Sequence, residues 1–258
     1  MIDTSKQDGI GVLTLNRPES RNALTPEHQH ELNDRFCQLS ADPDIGAIIL
    51  TGQGNSFCAG GDVKAMAAPQ TASLDEQVAA LRTREQVILS IRNAPQVVIA
   101  QIRGPATGAG LSLALACDIR ICDDTARFGA VYARVGLTGD FGISWLLQNE
   151  IGAAHARRLL LEAEIIDADE ALSLGLVHKV TRPEDLAQTV QNRAEAYAAG
   201  PRVAYAQIKQ NLQDASTATL DATLQFEAKR LVQAKQTDDH KEAIRAFATK
   251  QRPVFRGR

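Results

Sequence analysis

QVVIAQIRGPATGAGLSLALACDIRIC, residues 96–122, decides the fold. Its first seven residues are a short apolar run bounded by turn residues, the pattern of a strand buried on both faces. Residues 103–110 form a glycine loop, a short apolar helix follows, and a further strand begins at Asp118. Working outward, GAIILTG (46–52) is a second strand of the same kind, and GIGVLTLNRP (9–18) alternates apolar and polar residues as a strand does. Thr25 and Pro26 combine a good N-cap with a good first helical residue and predict a helix to about Leu39. Residues 73–92 have helical periodicity, broken by Pro95. Beyond residue 140 the pattern predicts helices at 141–149, 153–162, 168–173 and 184–199, with one brief strand, LVHKV. The 58 residues from Pro201 are helical in pattern, interrupted around Thr237 and Asp238. Alternating strands and helices followed by helices alone predict an α/β core over 1–200 and a helical C-terminal region over 201–258.

Composition narrows the function classes. In 258 residues, 28 Lys and Arg stand against 31 Asp and Glu, a formal net charge of -3. That leaves no basic excess for binding nucleic acid. Hydrophobic content is 44%, ordinary for a globular protein, and no apolar run approaches a membrane span. The opening MIDTSKQDGIGVLTLNRP has no apolar core of a signal peptide, and Cys37, Cys58, Cys117 and Cys122 read as reduced core residues. The expectation is a cytoplasmic protein. His28, His30, His155, His178 and His240 occur singly or two apart, so no metal set can be assembled from them.

Two segments hold the chemistry. Asn55-Ser56-Phe57-Cys58-Ala59-Gly60-Gly61-Asp62-Val63-Lys64 and Arg103-Gly104-Pro105-Ala106-Thr107-Gly108-Ala109-Gly110 each follow a buried strand and open a helix. Glycines there let backbone approach a ligand closely and leave N–H groups unpaired. Two such junctions can point two N–H groups at one oxygen, an oxyanion hole. The alternative is that both are only tight turns with close packing. A dinucleotide fingerprint is not completed, because the third glycine position is Leu113 and no acidic residue follows at the required distance.

These motifs, taken with others, resemble the crotonase, or enoyl-CoA hydratase/isomerase, superfamily. The resemblance runs from Leu15-Asn16-Arg17-Pro18 and Asn22-Ala23-Leu24 through Phe57 to Asp62, Gly104 to Gly110 and Ala116-Cys117-Asp118. It continues in Ala126-Arg127-Phe128-Gly129, Gly175-Leu176-Val177 and the tail Ala246-Phe247 to Lys250-Gln251-Arg252-Pro253-Val254-Phe255. The resemblance implies a crotonase-type fold of stacked ββα units with a helical C-terminal region. It implies an acyl-CoA thioester substrate, with coenzyme A entering as part of the substrate and no separate cofactor.

Residue by residue, the resemblance makes the Gly61 and Ala109 N–H groups the oxyanion donors, although relatives usually have glycine where this chain has Ala109. Ala59, Gly60, Gly61, Asp62 and Val63 would line the coenzyme path, Asn22, Ala23 and Leu24 would add backbone contacts, and Lys64 and Arg21 would meet phosphates. The hydratases' two glutamates correspond here to Ser112 and Tyr132, neither a carboxylate base near neutral pH. Asp140 is the carboxylate in a suggestive place, read both as proton carrier and as N-cap of the helix predicted from Phe141. Tyr132 is a candidate substrate contact. Family members form trimers or dimers of trimers, and Phe247 and Lys250 would reach a neighbour's coenzyme. The expected activity is double-bond isomerisation of an enoyl-CoA. Hydration with an atypical base and a catalytically silent acyl-CoA-binding or scaffold protein are the alternatives.

Overall fold

The computed structural model describes residues 1–62, 65 and 71–258. Strands β1 (Ile2–Gln7) and β2 (Ile10–Leu15) pair antiparallel, and β3 (Ala47–Gly52), β4 (Val97–Ile102), β6 (Ile119–Asp123) and β9 (Lys179–Thr181) extend the sheet in parallel. The order is β1-β2-β3-β4-β6-β9. A second sheet joins β5 (Pro105–Thr107), β7 (Arg127–Gly129) and β8 (Ile166–Asp167). Around these sheets lie α1 (Pro26–Ser40), α2 (Leu74–Arg84), α3 (Gln86–Asn93), α4 (Ala109–Ala116), α5 (Ile143–Leu161), α6 (Ala168–Ser173) and α7 (Leu186–Ala198). The chain finishes in α8 (Arg202–Ala215), α9 (Leu220–Ala234) and α10 (Asp238–Ala248).

The apolar strands are buried on both sides, which is why they read as continuous runs. Ile48, Leu50, Val98, Ala100 and Ile102 face the larger core, with Leu32 and Phe36 of α1 and Val87 and Ile91 of α3. Ala47, Ile49, Val97, Ile99 and Ile121 face a second core closed by Leu186, Val190 and Ala194 of α7. Each fully buried Leu, Ile or Phe contributes roughly 1.5–3 kcal/mol. Thr25 caps α1 by accepting the His28 N–H, worth about 1 kcal/mol. The loops after β3 and β4 carry the two glycine segments, at the carboxyl ends of adjacent parallel strands where α/β sheets present their crevices.

Several sequence expectations change. β1 escapes the sequence reading because it is an edge strand with one buried residue and five exposed ones, so it shows no alternation. Residues 73–92 form two helices that meet at Glu85. The helices expected at 141–149 and 153–162 are both present, as two helical stretches of α5 broken at Gly152, which takes the non-helical φ 74 and ψ 162, although the first starts at Ile143 rather than at Phe141. The C-terminal helices break near residue 217 as well as near 237. Cys37 lies exposed on α1, outside the core, whereas Cys58, Cys117 and Cys122 are buried and their thiols are pushed up to about 12 by burial. Among the described residues no helix is long and apolar enough to cross a membrane.

Candidate functional site

The two glycine segments touch. Cys58 and Ala106 form a parallel bridge, with the Cys58 N–H donating to Pro105 O at 2.9 Å and the Thr107 N–H to Cys58 O at 3.0 Å. Thr107 Oγ1 donates to Ala59 O at 3.0 Å. A Cβ on Gly110 would sit 2.2 Å from Cys58 O, so only glycine lets α4 dock backbone to backbone there. Gly108, at φ 55 and ψ -127, aims the start of α4 back at the first segment. A Cβ on Gly60 would lie 3.5 Å from the Ala109 nitrogen. On its other side the first segment is bridged to Leu24, whose N–H donates to Gly60 O and whose carbonyl accepts the Asp62 N–H.

Among the described residues, neither the Gly61 nor the Ala109 N–H donates a hydrogen bond. Next to them, the Asp62 N–H donates to Leu24 O and the Gly108 N–H to Gly129 O. Ala109 is the first residue of α4 and has no positive φ, so its Cβ is accommodated without strain. Two unpaired N–H groups on adjoining segments, one at a helix N-terminus, suit an oxygen that gains negative charge.

Asp140 is linked to the second segment through Tyr132. Tyr132 Oη donates to Asp140 Oδ1 at 2.7 Å, and the Tyr132 ring comes within 3.9 Å of the Cβ position of Gly108. Ser112, fully buried on α4, brings its Oγ to 3.5 Å from Asp140 O. Burial pushes the Asp140 carboxyl up from its ordinary value, the Tyr132 hydrogen bond opposes this, and the charge of Glu85 reinforces it. Burial and the neighbouring Asp140 likewise raise the Tyr132 phenol, which therefore stays a neutral donor. The expected N-cap role of Asp140 does not hold. α5 begins at Ile143 behind Gly142, no side chain caps it, and the Asp140 carboxylate is turned to Tyr132. The capping reading fails because Phe141 takes a left-handed φ of 51, which ends any continuation of α5 toward Asp140. Trp145 of α5 is 40% exposed and stacks under Arg92, facing a different cavity.

A cavity of about 680 Å³ opens onto Asp140. Leu74, Val78, Leu81 and Leu137 give it apolar walls, and Leu24 and Asp62 of the predicted coenzyme path line it too. Arg84 and His30 also face it and were not singled out from sequence. His30 reads there as one of five scattered histidines, and Arg84 as one charge on a solvated helix. Glu85 was missed as well: its Oε1 accepts the Phe141 N–H at 2.9 Å across 56 residues of chain. No sequence periodicity signals such a contact.

The remaining predicted residues have mixed placements. Asn22 is 1% exposed, and its side chain binds Gln53 O, Ser56 O and the Arg17 N–H, so it shapes the loop. Ala23 O already accepts from Arg17 Nη1, and Arg17 also pairs with Asp62 at 3.3 Å. Val63 and Lys64 lie outside the described residues. Phe247 is 87% exposed on α10, and Lys250 follows at φ 54. Within this chain α10 is tied to the tail, where Asp239 accepts the N–H groups of Arg256 and Gly257.

A family model described as enoyl-CoA hydratase/isomerase matches residues 5–258. The chain is 34% identical over 253 residues to the 1,2-epoxyphenylacetyl-CoA isomerase of Escherichia coli (strain K12), covering 98% of this chain and 97% of that one. It is 35% identical over 250 residues to the (E)-benzylidenesuccinyl-CoA hydratase of Thauera aromatica, covering 96% of each. The crystal structure of an enoyl-CoA hydratase from Polaromonas sp. JS666 superposes with a TM-score of 0.93 at 35% identity, over 99% of both chains.

Proposed function

The chain belongs to the enoyl-CoA hydratase/isomerase family and has its crotonase-type fold, and from that premise we propose that it isomerises the double bond of an enoyl-CoA thioester. Asp140 takes a proton from the α-carbon of a 3-enoyl thioester. The electron pair moves into a dienolate whose oxygen accepts hydrogen bonds from the Gly61 and Ala109 N–H groups. Asp140 then returns the proton at the γ-carbon, leaving the 2-enoyl product with atoms and charge balanced. The observation that carries this reading is a carboxylate held by Tyr132, whose ring packs against Gly108, the residue before the Ala109 donor. Ser112 and Tyr132, at the positions of the hydratases' glutamates, cannot both activate water and protonate carbon. A base shuttling one proton needs only Asp140.

The Ala59 to Asp62 segment and Leu24 line the coenzyme path in this proposal, with Val63 and Lys64 extending it and Asn22 and Ala23 holding its edge. Residues 201–258 form an oligomerisation region that builds a trimer or dimer of trimers, bringing Phe247 and Lys250 to a neighbour's coenzyme. The apolar side chains that α8, α9 and α10 expose, including Leu212, Leu224, Leu231 and Phe247, support that assembly.

Hydration is the second reading, favoured by the presence of a second carboxylate, Glu85, near Asp140. Calorimetric titration with coenzyme A, a 3-enoyl-CoA, a 2-enoyl-CoA and the free acids, followed by turnover of both esters, separates these readings. Isomerisation predicts acyl-CoA binding well above that of the free acid and conversion of the 3-enoyl ester without water uptake. Hydroxyacyl product from the 2-enoyl ester alone favours hydration, and binding without turnover marks a silent binder.

A further inference from the structure

We propose that Glu85 is a positioning residue for proton transfer at Asp140, clamping the loop that carries it and placing a second negative charge against it. The proposal rests on the reading of Asp140 as the proton carrier.

Glu85 stands at the junction of α2 and α3, with its side chain 16% exposed. Its Oε1 accepts the Phe141 N–H at 2.9 Å, and its Oε2 lies 3.3 Å from Arg82 Nη1. Phe141 is fully buried and held at φ 51, a conformation that a non-glycine residue keeps only when its surroundings impose it. The clamp supplies part of that imposition. Phe141 directly follows Asp140, so fixing its N–H fixes the peptide that Asp140 carries. Tyr132 and Ser112 hold the same short stretch through Asp140 Oδ1 and Asp140 O. The proton carrier is therefore gripped between elements that are distant in sequence.

The charge of Glu85 has its own consequence. The groups acting on the Asp140 carboxylate are Tyr132 from the segment Val131–Val135, Glu85 and Arg84 from the α2–α3 junction, and Ser112 of α4 against its backbone. His30, Asp62 and Glu76 share the cavity, and Arg82 faces Glu85. Glu85 disfavours the ionised form of Asp140, while Tyr132 and Arg84 favour it. A base must be ionised to take the proton. Loss of the Glu85 charge therefore moves the acid limb of the rate profile to lower pH.

Two substitutions separate the clamp from the charge. Glu85→Gln keeps a carbonyl oxygen for the Phe141 N–H and removes the charge. Glu85→Ala removes both. Profiles of kcat and KM against pH on a 3-enoyl-CoA are measured for wild type, both variants and Asp140→Asn. The expected results are an acid limb shifted down in Glu85→Gln and a kcat lowered at least about tenfold in Glu85→Ala, with KM within about twofold. The loss in Glu85→Gln is smaller than in Glu85→Ala, since the isostere rescues the clamp. An unmoved acid limb in Glu85→Gln together with wild-type kcat in Glu85→Ala overturns the role of Glu85 while Asp140→Asn remains inactive. Full activity in Asp140→Asn overturns instead the reading on which the role rests.

Discussion

Asp118 and Asp140 are two half-buried carboxylates that burial raises above their ordinary proton affinity, and they are held in opposite ways. Asp118 sits 2.7 Å from Lys209 Nζ and accepts the Val98 N–H at 2.7 Å. Its charge is neutralised by a cation and a backbone dipole, so it fastens α8 to the start of β4. Asp140 forms no ion pair within 4 Å among the described residues. Its Oδ1 is held by a neutral phenol, and a cavity of about 680 Å³ opens beside it. A carboxylate saturated by a cation is a rivet. One held by a single neutral donor at a cavity wall keeps a lone pair for a substrate proton.

Removing the rivet damages stability most. Asp118→Ala should destabilise the fold by about 3 kcal/mol, the lower end for a broken buried pair because the Asp118 side chain remains 25% exposed. Chemical denaturation checks this, and a midpoint unchanged from wild type would erase the distinction from the structural side.

The chemistry at Asp140 needs an electron sink that Asp118 has no use for. Ala109→Pro deletes one of the two unpaired N–H groups at a first helical position, where proline is otherwise well tolerated. Turnover should fall by on the order of 3 kcal/mol in the transition state, a few hundredfold, with circular dichroism and oligomer size unchanged. A folded variant with full kcat would remove the oxyanion role.

A smaller effect tests the neutral donor. Tyr132→Phe removes a hydrogen bond to a charged group, about 1.5 kcal/mol, and should slow turnover roughly tenfold. Because that bond favours the ionised carboxylate, its loss should move the acid limb of the pH–rate profile upward, opposite to Glu85→Gln. Limbs moving the same way in both variants would contradict the electrostatic account.

The smallest expected effect is on melting. A carboxylate whose folded proton affinity is raised is least unfavourable below its unfolded pKa, and stability is lost as pH rises through the folded value. Asp140→Asn should therefore melt slightly higher than wild type at neutral pH, with the gap closing toward acid. Thermal scans at the two pH values decide it.

The parallel strands were legible in the sequence because burial on both faces leaves an unbroken apolar run, as in residues 97–102. The glycine segments were legible because close approach, at Gly110 against Cys58 O, permits no side chain. β1 was not, since an edge strand with one buried residue shows no pattern. Asp140 was found, but its cap was misassigned, because the left-handed Phe141 that ends the helix early is invisible in a residue string. Glu85, Arg84 and His30 reach the site from helix surfaces, where spacing records which face is buried but not what a long polar side chain meets. Tyr132 was legible as a position, but its bond to Asp140 required the fold.

The central step is the movement of a proton between carbons by Asp140. Solvent-deuterium incorporation at the α- and γ-carbons of a 3-enoyl-CoA measures that movement directly. Asp140→Asn should slow the incorporation at least about a hundredfold, within the range for general acid–base catalysis, and should leave acyl-CoA affinity nearly unchanged. Incorporation that persists at the wild-type rate in Asp140→Asn would contradict the account and make Asp140, like Asp118, a structural carboxylate.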